Sequence, residues 1–246
     1  MPNKLLITKS TSPEEITKAI FKLREQKGKE DETLKVIDEA LSFGHEFVVR
    51  LFFEEALTNQ HLYMNDSKNK KALLEMQKSV AKAGFYINKF NLTKLQSIYF
   101  RFLGRIEDYK KNFKKAIFYY KKSIKYISSD PESFRILEIE GFLAFDILMS
   151  GQTEKGYKYS RKIYSEYTET KSGTELKRDD YFTWEVWRSG VAIRTINALL
   201  DKKTNLDLDK IKNWLEEVEK ELNIKGYDFS YRKAELQELK EKLKLN

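Results

Sequence analysis

Few residues in this 246-residue chain have the type and spacing that covalent chemistry needs. It has no cysteine, which removes thiol nucleophiles, disulfides and cysteine-ligated metals. Its two histidines, His45 and His61, stand in neither H-E-x-x-H nor E-x-x-H spacing. A zinc site or a histidine general base is therefore poorly supplied. Gly151 to Gly156 has the outline of a phosphate-binding G-x-x-x-x-G loop. Tyr157 and Lys158 follow where Lys and Ser/Thr are needed, and the segment reads as a link between helices rather than strand to helix. Glu54, Glu55, Glu138, Glu140, Glu216 and Glu217 offer carboxylates, but in helices these commonly serve as solvated faces and as i,i+4 partners of lysine. The expectation is a chain with no catalytic residues, no metal site and no cofactor, and hence not an enzyme.

The local feature that stands out is basic. Lys110, Lys111, Lys114, Lys115, Lys121, Lys122 and Lys125 fall between Tyr109 and Ser129 with no acid among them. Tyr109, Phe113, Phe118, Tyr119, Tyr120 and Tyr126 are interleaved. Lysines beside aromatic rings can grip a phosphate backbone and stack bases, so nucleic acid or another anionic surface is one reading. A solvated outer helix face is the other. Of the 46 basic residues ten are Arg, so the net charge of +8 comes from a lysine surplus that tolerates an acidic partner without demanding one. Lys155, Lys158, Arg161 and Lys162 continue the same sign.

The elements that must position these residues are helices. Ser12, Pro13 and Glu15 form a helix start, with a capping residue, a proline at the first position and a capping-box glutamate. Ile16, Ala19, Ile20 and Leu23 then mark one helix face. The same period predicts helix pairs over about 13–44, 47–87, 92–127, 131–167 and 180–222, then a last helix over 230–245. Asp130 and Pro131 read as another capped start, and the polar stretch 168–177, with Gly173, as a loop. Three prolines and ten glycines are too few for a turn-rich β fold. No apolar run is long enough for a membrane span, and Leu5, Leu6 and Ile7 are too short a stretch for a signal peptide. The expectation is a cytoplasmic, all-α protein forming one domain over 1–246.

Residues 97–130 resemble a tetratricopeptide repeat, a 34-residue helix–turn–helix unit. Phe100, Leu103, Gly104, Phe113, Ala116, Tyr120 and Ser123 carry the likeness. Small residues sit where the two helices of a repeat cross and large ones where a neighbour leaves a hole. Glu107 and Ser128 depart from the pattern. Thr33, Ala72 and Gly156 read as the small-residue slots of weaker, longer copies. The resemblance implies a right-handed α-solenoid of antiparallel helix pairs closed by a C-terminal capping helix; a HEAT-like array is the alternative.

It also implies a function: a non-catalytic scaffold or adaptor that holds a protein or peptide in a concave groove. By analogy the groove positions include Arg101, Arg105 and Tyr109 on one helix and Phe145 and Met149 on the next. Arg101 and Arg105 would meet a carboxylate, unless they pair internally with Glu138, Glu140 or Asp108; both readings stand. A peptide-sensing regulatory module is a further alternative. Trp184 and Trp187 read as core.

Overall fold

The computed structural model describes residues 7–43, 47–127, 135–202 and 208–244. Among these residues it is all-α, with twelve helices and one 3-10 turn at Thr93–Leu95. No described helix is long and apolar enough to cross a membrane. The chain forms two compact units, residues 1–95 and 96–246.

The first unit holds α1 (Pro13–Arg24), α2 (Glu30–Ser42), α3 (Val48–Asn65) and α4 (Lys70–Lys89), each packed on the next in sequence up to the α3–α4 pair. The capping box forms: Ser12 Oγ accepts from Glu15 N at 3.2 Å, and Ser12 N donates to Glu15 Oε2 at 3.0 Å. Between α1 and α2 the backbone turns through Gly28 at φ +88°, a conformation that favours glycine. Ile16 and Ile20 of α1 bury against Ile37 and Ala40 of α2 and Leu51 of α3. Each large aliphatic side chain buried there contributes about 1.5–3 kcal/mol. His61 lies inside this unit, its Nδ1 3.0 Å from the Arg24 carbonyl oxygen. His45 lies outside the described residues.

The second unit begins with α5 (Gln96–Tyr109) and α6 (Phe113–Tyr126), the pair that resembles the repeat. A Cβ at Gly104 would stand 2.6 Å from the Tyr120 ring, so glycine is what lets α5 and α6 approach. Ser123 ties the pair at the other end, its hydroxyl donating to the Ser97 carbonyl at 2.7 Å. α7 (Ile136–Met149) and α8 (Thr153–Glu169) form the next pair, and α7 also packs on α6. There a Cβ at Gly156 would run into the Leu148 backbone. Thr33, Ala72 and Ala116, the other proposed small-residue slots, are buried as well. Asp130 and Pro131 lie outside the described residues.

Residues 168–177 are not a loop. Helix α9 (Lys171–Asp179) occupies most of the stretch. Thr170 caps it, its hydroxyl accepting from Gly173 N at 3.2 Å, and Leu176 is buried as its apolar anchor. Gly173 has no side chain because a Cβ would stand 2.5 Å from the carbonyl oxygens of Glu166 and Tyr167. Glycine here marks close packing rather than a helix break.

The long helix α10 (Tyr181–Asp201) is the hub of the second unit, touching α7, α8, α9, α11 (Leu208–Leu222) and α12 (Ser230–Leu243). Trp184 is fully buried, and its indole N–H donates to the Tyr167 carbonyl at 2.8 Å. Trp187 is partly buried at the edge of the same cluster.

Candidate functional site

The paired arginines of α5 lie one helical turn apart, as their spacing predicts. Both are buried, 4% and 5% exposed, and both pair inside the protein. Arg101 holds Glu138 of α7 in a two-pronged ion pair, with its Nε donating at 3.1 Å. Arg105 pairs with Asp108 and donates from Nη2 to the Tyr109 hydroxyl at 2.5 Å. Of the two readings left open by the sequence, internal pairing is the one found. Burial works against the Glu138 charge, but Arg101 and Arg135 outweigh it and hold that carboxyl below its usual range. Arg105 and Arg101 also stand 4.2 and 5.6 Å from the centre of the Phe142 ring.

The apolar part of the candidate set remains accessible. Tyr109, Phe145 and Met149 are half-buried. Phe145 and Met149 of α7 pack beside Leu148, Ala198 and Leu199, so this patch follows the seam between α7 and α10. The seam is tight further up: a Cβ at Gly141 would stand 2.7 Å from Val191.

Along this seam lies a polar interior that sequence reasoning missed. Asp146 is buried beside Asp108, and no N–H or hydroxyl group donates to its carboxyl oxygens among the described residues. Burial, then the nearby Asp108 charge, push its pKa far up, so Asp146 carries the proton of that pair at neutral pH. The buried hydroxyls of Tyr120 and Tyr167 also lack partners. Arg194 of α10 also lies against Phe142, 4.4 Å from its ring centre, but makes no ion pair among the described residues. A second buried acid, Glu185, has both oxygens unpartnered, and burial raises its pKa to about 8. One signal for these groups was in the sequence: Asp146, Glu185 and Arg194 interrupt long apolar runs, where a charged residue calls for a reason.

The lysine stripe lies on the surface. Lys111, Lys114, Lys121, Lys122 and Lys125 of α6 and the turn before it are exposed and make no ion pair among the described residues, while Lys110 and Lys115 reach Glu107 at 3.6 and 3.3 Å. Phe118 is 52% exposed. Phe100, expected to fill a packing hole, instead stacks between Tyr119 and Tyr126 on this face, with the Lys122 ammonium 5.1 Å from its ring centre.

No group of three or more metal-ligating side chains occurs among the described residues. No family model, curated protein or solved structure matches the chain.

Proposed function

We propose that this protein is a non-catalytic binding scaffold of the tetratricopeptide-like, right-handed solenoid kind. It holds a protein or peptide segment against the face formed by Tyr109, Phe145 and Met149. The observation that carries this reading is the half-exposed Phe145–Met149 patch beside α10, on helices whose pairing relies on the small residues the repeat calls for. A flexible Met beside an aromatic ring adapts to varied apolar side chains. Arg101 and Arg105 support that face from within, by fixing α5 to α7 and by bearing on Phe142, instead of meeting the partner.

The test is capture from native lysate by the wild type and by Phe145→Ala/Met149→Ala. The double variant should keep its helical signal and lose the partner. Capture unchanged by the double variant would refute the assignment of this face.

A second reading is favoured by the exposed lysines of α6 beside Phe118 and Phe100, most of which make no ion pair among the described residues: association with nucleic acid or another anionic surface. Such a complex should weaken by orders of magnitude between low and moderate salt. A complex held on the apolar patch should not.

A further inference from the structure

Arg194 carries a charge that makes no ion pair among the described residues, in a place built to hold it. Its Nε is buried without a hydrogen-bond partner, while the side chain as a whole is partly exposed. The Phe142 ring lies on one side of the guanidinium. Gly190 makes room on another: a Cβ there would stand 2.8 Å from Arg194 Nη1 and 2.9 Å from Arg232 Nη2. Two guanidinium groups thus converge on one glycine. Arg232 pairs with Glu235, whose charge also reaches Arg194. Arg101 and Arg105 have Glu138 and Asp108. A further acid near Arg194, Asp146, holds its proton. Burial and the facing charges of Arg232 and Arg105 accordingly pull the Arg194 pKa down to about 10, yet at neutral pH it stays charged. With Arg135 also bearing on Glu138, the guanidinium groups of this region outnumber its ionised acids.

We infer that Arg194, backed by Arg232 across Gly190, is a docking point for a single carboxylate of a peptide segment bound along the α7–α10 seam. A guanidinium fork matches a carboxylate in shape, and the surplus of guanidinium groups favours an anion. A phosphate dianion would bring a second negative charge toward Asp108 and Glu138. Arg194 lies one helical turn from Ala198, which packs with Phe145 and Met149, so carboxylate and apolar contacts fall on one line. The inference rests on the proposed binding face, but its test does not need the partner.

The probes are sodium acetate and inorganic phosphate, each added to the full chain against sodium chloride at matched ionic strength. The readouts are the arginine Nε–Hε resonances and the melting temperature. Acetate should move the Arg194 resonance saturably, and should raise Tm by about 3 °C near ten times its dissociation constant. Arg194→Gln should abolish the Tm rise. Arg194→Lys, which keeps the charge and loses the fork, should reduce it several-fold and serves if the glutamine variant misfolds. An Arg194 resonance that moves no more with acetate than with chloride overturns the proposal. Phosphate acting where acetate does not overturns the carboxylate assignment. If acetate binds while Phe145→Ala/Met149→Ala leaves partner capture intact, the docking point stands and the apolar face is what fails.

Discussion

Removing Arg101 leaves the buried Glu138 charge with only the longer contact to Arg135 at 3.5 Å. Arg101→Ala should therefore cost about 3–5 kcal/mol in urea denaturation, while Arg101→Met/Glu138→Leu should recover most of that loss. A cost below about 1 kcal/mol for the single change would mean that the pair is solvated. The pairing could not be chosen from sequence, because the two residues are 37 positions apart and an internal acid and a ligand acid look alike to an arginine. Glu185 gives a pH test. Its pKa is raised in the folded state to about 8, so the folded chain binds a proton that the unfolded chain has released. The associated stability is present below about pH 4 and is lost as pH rises toward 8, by about 1 kcal/mol per unit in between. Glu185→Gln should flatten the fall in stability between pH 5 and 8. An unchanged pH profile would show Glu185 already ionised in the folded protein.

Helix pairing depends on glycines whose neighbours differ in how far they can yield. At Gly104 the obstacle is the Tyr120 side chain, whereas at Gly156 it is the Leu148 backbone. Gly104→Ala should cost about 1–3 kcal/mol, and Gly156→Ala more, since backbone moves less readily than a ring. Thermal melts of the two variants decide the order; equal, small losses would mean that neither pair is close-packed. At this scale the sequence was legible where spacing reports packing. Ser12 with Glu15, Gly104 with Tyr120 and buried Trp184 all follow from local pattern. It was not legible at α9, because a glycine needed for close approach to Glu166 and Tyr167 has the same appearance as one that ends a helix. Phe100 misled for a related reason: an aromatic in a repeat position can stack on an outer face as well as fill a hole.

Across the whole molecule, the net charge of +8 divides between two different settings. Most lysines of the α6 stripe are exposed and make no ion pair among the described residues, whereas Arg101, Arg105 and Arg194 gather around the Phe142 ring. Composition separates these settings only in part: lysine, a compact and strongly hydrated cation, goes outward, and arginine goes where it can be desolvated and stacked. All-α architecture and the order of the helix pairs could be read from period alone, but the polar interior required the helices to be brought together. The proposed scaffold predicts that partner capture depends on the apolar patch and not on bulk charge. The most direct measurement is capture from native lysate at low and at moderate salt, with the wild type beside Phe145→Ala/Met149→Ala. The predicted result is a partner held by the wild type at both salt concentrations and lost from the folded double variant. A partner kept by the double variant, or stripped from the wild type by moderate salt, would contradict it.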